Sequence, residues 1–271
     1  MAPPAPMSPI LAARNVTKTF TAGKDHGLVA VENLSFEINE GEFICLLGAS
    51  GCGKSTILNM FAGFTQPTAG EVLLRGRPIV AIEPRCGMIF QSYALFPWKT
   101  VRGNVEFGLR MKGLSRAERR ERAAAFIQMV NLCGFEDHYP AELSGGMQQR
   151  VTIARLLAAD PEVLLMDEPF AALDAMTRQV MQEELLKIHE HSRKTIVFIT
   201  HSIDEALILS SRLFVMSARP GRIKAVIEND LPTPRHITVQ VSPQYGELKS
   251  RVWNLIESEV RRHGTETARN Q

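Results

Sequence analysis

One glycine-rich stretch constrains this chain more than any other feature of its sequence. It follows the apolar run Phe43–Leu47, which predicts a short buried strand, and it reads Gly48-Ala49-Ser50-Gly51-Cys52-Gly53-Lys54-Ser55-Thr56. Beyond it, Ile57, Leu58 and Phe61 have the spacing of one helical face. Gly63 is a typical helix end. A strand, a turn of the form Gly-x4-Gly-Lys-Ser and a helix, in this order, predict a phosphate-binding loop.

The residue types of this loop explain why it would bind phosphate. Glycines let the backbone turn tightly and approach phosphate oxygens closely. The N–H groups of the turn and of the helix N-terminus carry positive partial charge. Lys54 adds a full positive charge for the β- and γ-phosphates, and the hydroxyl of Ser55 can ligate Mg²⁺. The alternative is a chance match of the pattern, and the correct flanking elements argue against it.

Composition limits the remaining possibilities. The 271 residues carry a net charge of only +2, which argues against a general nucleic-acid-binding surface. No basic segment followed by an apolar run marks a signal peptide, and no apolar stretch approaches the length of a membrane span. The cysteines are scattered without a C-x-x-C pair, so we expect reduced thiols. If this protein works at a membrane, it must dock onto an embedded partner.

Strand and helix patterns alternate along the chain, which predicts an α/β fold with a mainly parallel sheet. Residues 1–9 are rich in Pro and Ala and are expected to be a disordered leader. Residues 71–74 and 77–82 read as a hairpin pair. A helical block over about 92–160 is inserted into the alternation, and the tail beyond Arg262 is polar.

Polar residues follow two of the predicted buried strands. Asp167 and Glu168 end the strand 163–166, at the sheet edge where ligands bind in open α/β folds. The first carboxylate of such a pair usually holds Mg²⁺, and its neighbour can orient or deprotonate a water molecule. An acidic pair that stabilises a helix N-terminus is the alternative. His201 follows the strand 195–200 and is a candidate phosphate contact, although a single His is more often structural.

Three other segments have two interpretations each. The turn at Gly145 and Gly146 starts a helix and is either a second anion site or an ordinary tight turn. Phe20 is either a core residue or an aromatic platform under an adenine ring. The apolar and aromatic cluster 92–98, which follows Gln91, is either core or an exposed docking surface.

Taken in order, these motifs resemble those of the ATP-binding cassette ATPase family over nearly the whole chain. The matching segments are the phosphate loop 48–56, the glutamine-loop residue Gln91, the signature 143–150, the acidic strand 163–168, the D-loop Ala172-Leu173-Asp174 and the switch histidine His201. Phe20 stands where the family places its adenine-stacking aromatic residue. Ala49 and Ala171 replace a commoner Pro and Gly, and neither change removes a chemical group.

The resemblance implies a P-loop NTPase (RecA-like) core with a mainly parallel sheet, an N-terminal antiparallel β subdomain and an inserted α-helical subdomain. A single ATPase domain would cover residues 10–263. Within it we expect the core and β subdomain over 10–91 and 161–228, the helical subdomain over 92–160 and a C-terminal extension over 229–263, with a polar tail at 264–271.

The resemblance also implies that two copies pair head to tail, with ATP between the phosphate loop of one and the signature of the other. Lys54 and the loop backbone would bind phosphates, while Ser55 and, through water, Asp167 would hold Mg²⁺. Gln91 would lie near the metal and the attacking water, Glu168 would be the general base, and His201 would contact the γ-phosphate. The remaining residues of the ATP site would be Ser144, Gly145 and Gly146, acting in trans, and Asp174.

Four segments look like those of bacterial importers for nitrate, sulfonate, taurine and related small anions. They are 92–98, Tyr139-Pro140, 168–170 and 216–223. Such a protein would sit peripherally on the cytoplasmic face of the inner membrane. An integral-membrane permease would dock near residues 91–98, a solute-binding protein would be an indirect partner, and no nucleic acid would be involved.

Two other functions compete with transport. A soluble cassette ATPase acting on nucleic acid usually has two cassettes or a long coiled-coil insertion, and neither is present. A nucleotide-gated adaptor that binds ATP without turnover is disfavoured by the intact Glu168 and His201.

Overall fold

The computed structural model describes residues 9–21, 27–171, 173–233, 235 and 237–267. The expected leader, apart from Pro9, and Ala172 of the expected D-loop lie outside this part of the chain. The chain divides into two compact units, each held together by its internal contacts. The first unit combines the residues up to 83 with those from 189 onward, and the second comprises 84–188. The boundaries expected from the sequence remain a prediction.

The strands in chain order are β1 (Pro9–Phe20), β2 (Leu28–Asn39), β3 (Phe43–Leu47), β4 (Ala69–Leu74), β5 (Arg77–Pro78), β6 (Cys86–Ile89), β7 (Val163–Asp167), β8 (Thr195–Thr200), β9 (Arg212–Met216) and β10 (Ile223–Glu228). The helices are α1 (Lys54–Phe61), α2 (Val101–Met111), α3 (Arg116–Met129), α4 (Gly145–Ala158), α5 (Ala175–Ser192), α6 (Ile203–Leu209) and α7 (Pro243–Thr267). None of the described helices is both long and apolar enough to cross a bilayer.

The first unit contains an antiparallel sheet in the order β2-β1-β4-β5. The apolar alternation of β2 slips near Asn33 because the backbone there is left-handed, with φ of +47°. Asn15 on β1 has φ of +50°, and the register of the two strands shifts between Ala13 and Val16. Asn tolerates this conformation better than most residues, so the paired irregularity is a β-bulge built from suitable residues.

Parallel strands form the centre of the first unit. Strand β3 lies between β8 and β9, parallel to both, and β10 pairs antiparallel with β9. Every residue of β3 and β8 is buried, as expected for parallel strands that are covered on both faces. Leu47 pairs with Thr200, so the chain leaves β3 and β8 at the same level. The phosphate loop and His201 therefore start from one edge of this sheet.

The second unit pairs β6 and β7 in parallel and carries the helices α2, α3 and α4 against one another. Side-chain caps start each of these helices. Thr100 accepts from the N–H of Gly103 at α2, Ser144 caps α4, and the predicted capping box of Ser115 and Glu118 forms at α3. The inserted helical block is thus present as expected.

Two expectations about element lengths need correction. The hairpin partner of β4 spans only Arg77–Pro78 rather than 77–82, and one further backbone hydrogen bond follows it, from the N–H of Ile79 to the carbonyl of Val72 at 2.9 Å. Val80 and Ile82 beyond it are exposed. At the other end, α7 continues through Thr267, so the first residues of the expected polar tail are helical.

Candidate nucleotide site

The phosphate loop joins β3 to α1 and contains left-handed backbone that only glycine adopts without strain. Gly51 has φ of +74° and Gly53 has φ of +98°. Gly53 caps α1, and a Cβ there would lie 2.4 Å from Cγ1 of Val31 and 2.8 Å from the carbonyl oxygen of Ala30. Both its conformation and its surroundings therefore require glycine at this position.

Lys54, the first residue of α1, is only 4% exposed. Its Nζ donates hydrogen bonds to the carbonyl oxygens of Gly48 at 2.8 Å and Ala49 at 2.9 Å, and it lies 3.8 Å from Sγ of Cys52. The ammonium is therefore held by the loop itself, where the loop N–H groups and the α1 N-terminus also favour an anion.

The two cysteine thiols near the phosphate loop, Cys45 and Cys52, have low reactivity. All four cysteines are free. Burial raises the pKa of Cys45, with a smaller contribution from Glu205, against the opposing effect of Lys54. Burial also raises the pKa of Cys52, again against Lys54. Both thiols are thus neutral near pH 7, which fits the reduced state expected from the sequence.

His201 follows β8 and is exposed. The turn that carries it is fixed by a buried network, because the Thr200 hydroxyl donates to Oε2 of Glu205 at 2.5 Å and accepts from the N–H of Ser202 at 3.0 Å. The Ser202 hydroxyl accepts from the N–H of Glu205 at 3.3 Å and caps α6. The network holds the His201 backbone at the edge where the phosphate loop begins.

Asp167 is the last residue of β7, and Glu168 follows it; both are half-buried. Glu168 has a left-handed backbone with φ of +43°, an uncommon conformation that concentrates at functional sites. Ile89 of β6 pairs with Met166 of β7, and Gln91 follows two residues after Ile89. Gln91 and the two carboxylates therefore leave the same edge of this strand pair.

Asp174, the expected D-loop residue, has a structural role. Its Oδ1 accepts from the N–H of Thr177 at 3.0 Å at the start of α5. Hydrogen bonds from Thr177 hold the pKa of Asp174 below its usual range. The residue caps a helix, and its place in an ATP site remains a prediction.

The signature turn ends in the N-terminus of α4, a helix of 14 residues. Ser144 is exposed, and its hydroxyl accepts from the N–H of Met147 at 3.4 Å. A Cβ at Gly145 would lie 2.9 Å from the hydroxyl of Tyr93, and one at Gly146 would lie 2.7 Å from Cγ2 of Thr177. Close neighbours therefore require the two glycines, and the helix N-terminus stays accessible to an anion.

The cluster 92–98 is neither wholly core nor wholly exposed. Phe96 is half-buried, with ring centroids 4.7 Å from Phe107 and 5.7 Å from Trp98, whereas Trp98 is 71% exposed. The buried side chain of Asn104 supports the segment through hydrogen bonds with the backbone of Phe96, Lys99 and Thr100. Asn104 carries no signal in the sequence, because its partners are brought to it only in the folded chain.

Phe20 is not a core residue. Its ring is 42% exposed at the end of β1, and Nζ of Lys18 lies 5.1 Å from the ring centroid. An exposed aromatic ring is compatible with base stacking. The stacking role itself remains a prediction.

Ser55, in the first turn of α1, is exposed, which leaves its hydroxyl accessible as a cation ligand. In the described part of the chain, no group of three or more His, Cys, Asp and Glu side chains is arranged to hold a metal. Mg²⁺ in phosphoryl-transfer sites is held by one or two protein oxygens together with substrate phosphates and water. The hydroxyl of Ser55 is a donor of this kind.

These features define a phosphate-loop nucleotide-binding protein. A sequence model described as ABC transporter matches residues 31–171. The nitrate import ATP-binding protein NrtD of Synechocystis sp. is 44% identical over 86% of this chain and 90% of its own length. The aliphatic sulfonates import ATP-binding protein SsuB of Bacillus cereus is 45% identical over 89% of this chain and 94% of its own length.

A solved structure is similar as well. The ATP-binding cassette MJ0796, in a dimeric post-hydrolysis state bound to ADP and Pi, superposes with a TM-score of 0.73 at 36% identity. The match covers 80% of this chain and 98% of that one. The chain belongs to the ABC transporter family, and it is one of the ATP-hydrolysing subunits of that family. The expected P-loop NTPase fold is confirmed.

Proposed function

We propose that this protein drives a bacterial importer for a small anion, with nitrate, sulfonates and taurine as the first candidates. The observation that carries the proposal is the similarity, over most of both chains, to ATP-binding proteins named for nitrate import and for aliphatic sulfonates import. Cargo selection would lie in the permease and in a solute-binding protein, because the motor contacts neither the free anion nor its binding pocket.

The ATP site we propose is assigned residue by residue from the family motifs. Lys54 and the N–H groups of the loop 48–56 bind the phosphates, Phe20 stacks on the adenine, and His201 contacts the γ-phosphate. Glu168 is the general base for the attacking water, with Gln91 beside it. Ser55 and, through water, Asp167 would hold Mg²⁺, which would neutralise charge on the phosphates.

Two copies of the chain complete the site. In the part of the chain that the structure describes, the N-termini of α1 and α4 each follow a glycine-containing turn and suit an anion, and the phosphate loop of the same copy uses only the first. In a head-to-tail homodimer, Ser144, Gly145 and Gly146 of one copy bind the γ-phosphate of the ATP held by the other, with Asp174 at the same interface. The dimeric state of the similar cassette supports this arrangement.

The exposed aromatic surface around Trp98 supports the link to the membrane. Trp98 is 71% exposed, and Phe107, whose ring packs on that of Phe96, is partly exposed. Such side chains on one segment suit burial against a protein partner. We assign residues 91–98 as the docking segment for the permease, which keeps the subunit on the cytoplasmic face of the inner membrane.

Uptake measured in cells tests this function. A strain that lacks this chain is complemented with the wild type or with Lys54→Ala, and uptake of labelled nitrate, an alkanesulfonate and taurine is measured. Wild-type complementation restores uptake of one of these anions, and the Lys54→Ala variant does not. If the strain that lacks the chain takes up all three anions as well as the complemented strain does, the proposed cargo class is contradicted.

A further inference from the structure

The segment Ser217–Arg222, which we call the 217–222 loop, packs directly on the phosphate loop within the first unit. The Arg219 guanidinium donates to the carbonyl oxygen of Gly51 from Nε at 3.2 Å and from Nη2 at 3.0 Å. Close by, a Cβ at Gly221 would lie 2.0 Å from the carbonyl oxygen of Cys52. Two consecutive carbonyls of the phosphate loop are therefore covered by this loop.

The Arg219 contact acts on the part of the phosphate loop that matters for binding. A trans peptide unit is planar, and its C=O and N–H point in opposite directions. Holding the carbonyl of Gly51 therefore fixes the direction of the N–H of Cys52, which closes a turn with the carbonyl of Ala49 at 3.4 Å. The direction of the loop N–H groups decides how well they meet phosphate oxygens.

The 217–222 loop is itself held on its other side by β2. The N–H of Gly221 donates to the carbonyl of Ala30 at 2.9 Å, and the N–H of Glu32 donates to the carbonyl of Gly221 at 3.0 Å. Gly221 forms an isolated parallel bridge with Val31. The ion pair of Arg222 with Glu32 at 2.6 Å is exposed and adds a contact that does not touch the phosphate loop.

A buried carboxylate of α7 anchors the same loop. Glu259 is 5% exposed, and its Oε2 accepts from the N–H of Ala218, the residue before Arg219, at 2.9 Å. Its Oε1 pairs with Nζ of Lys224 at 2.8 Å. Glu259 thus connects the C-terminal helix with the segment that carries Arg219.

We infer that Arg219 is a positioning residue for the phosphate loop and that Glu259 of α7 sets its position. The C-terminal helix therefore supports the nucleotide site indirectly, through the 217–222 loop. The inference rests on the proposed role of the phosphate loop. The 217–222 loop and α7, which belong to none of the ATP-site motifs, thereby have a function.

The test measures nucleotide affinity and kinetics on the purified full chain. Fluorescent mant-ADP with Mg²⁺ reports affinity, and phosphate release reports KM and kcat for ATP. Arg219→Ala weakens mant-ADP binding about threefold to tenfold, the range expected for charge-assisted hydrogen bonds that solvent partly screens. KM rises by a similar factor, and kcat changes less. Arg219→Lys, which keeps the charge and one donor, recovers part of the affinity.

A matched control separates positioning from general stability. Arg222→Ala removes an exposed ion pair of the same loop, and it leaves mant-ADP affinity within a factor of two of wild type. Without nucleotide, Arg219→Ala and Arg222→Ala have the same denaturation midpoint. If Arg219→Ala does not fold, Glu259→Gln tests the inference instead. This variant keeps the side-chain size, and it should also weaken mant-ADP binding.

The possible results separate a failure of this inference from a failure of the proposed nucleotide site on which it rests. Wild-type affinity in both Arg219→Ala and Glu259→Gln, together with loss of binding in Lys54→Ala, overturns the positioning role alone. Wild-type affinity in Lys54→Ala overturns the phosphate-loop assignment itself. Equal weakening by Arg219→Ala and Arg222→Ala shows that only the loop's general stability matters, and it also refutes the inference.

Discussion

Substituting Gly53 by Ala tests whether the phosphate loop has the geometry described here. Ala at φ of +98° adopts a left-handed backbone, which costs about 1–2 kcal/mol. The new Cβ also meets Cγ1 of Val31 at 2.4 Å and the carbonyl oxygen of Ala30 at 2.8 Å. Such overpacking adds about 1–3 kcal/mol. We therefore expect Gly53→Ala to lower the free energy of unfolding by about 2–5 kcal/mol.

Gly76→Ala is the matched control. Gly76 also has a left-handed backbone, with φ of +73°, and nothing lies within 4 Å of the position of its Cβ. The Gly76→Ala variant therefore measures the backbone strain alone. Only Gly53→Ala adds the clash of the new Cβ with its neighbours and distorts the phosphate site. Urea denaturation gives the two free energies of unfolding, and mant-ADP titration gives the affinities. Equal destabilisation by the two variants, or unchanged affinity in Gly53→Ala, would refute the loop geometry.

Three further predictions concern the surface, the thiols and one histidine. Trp98→Ala should reduce copurification with the membrane permease, whereas Trp253→Ala, another exposed tryptophan on α7, should not; equal copurification of both variants would contradict the docking assignment. Iodoacetamide at pH 8 should modify the exposed Cys133 and leave Cys45 unmodified, because burial raises the pKa of the Cys45 thiol; mass spectrometry of digested protein measures this, and faster modification of Cys45 would contradict it. Burial lowers the pKa of His189, whose Nε2 donates to the carbonyl of Gly41 at 3.0 Å. The unfolded chain therefore binds the proton more readily, so stability should fall as pH drops below about 6.5, and His189→Gln should lessen that fall in urea titrations at pH 5.5 and 7.5.

The sequence predicts the phosphate loop and the parallel sheet well because both depend on local patterns. The short apolar runs of β3 and β8 can be buried only between neighbours, and Gly-x4-Gly-Lys-Ser fixes the turn that follows β3. The positions of Gln91, Asp167 and His201 at strand ends follow from the same alternation of strands and helices. These parts of the site are therefore visible before any fold is known.

The supports of the site are not visible in the sequence. Asn104 bonds to the backbone of Phe96, Arg155 bonds to that of Ala94, and Arg219 bonds to Gly51 across 168 positions of the chain. Such contacts depend on tertiary packing, which no periodicity encodes. The left-handed backbone of Glu168 is similarly hidden, because a Glu gives no local signal for it.

The composite site is the central claim, and ATP-dependent dimerisation of Glu168→Gln tests it most directly. This variant loses the proposed general base but keeps the groups proposed to bind ATP, so ATP should accumulate between two copies. On a sizing column with ATP and Mg²⁺, the account predicts that Glu168→Gln elutes as a dimer. It also predicts a monomer without nucleotide and in the Lys54→Ala, Glu168→Gln double variant. A Glu168→Gln protein that binds ATP and still elutes as a monomer would contradict the composite site.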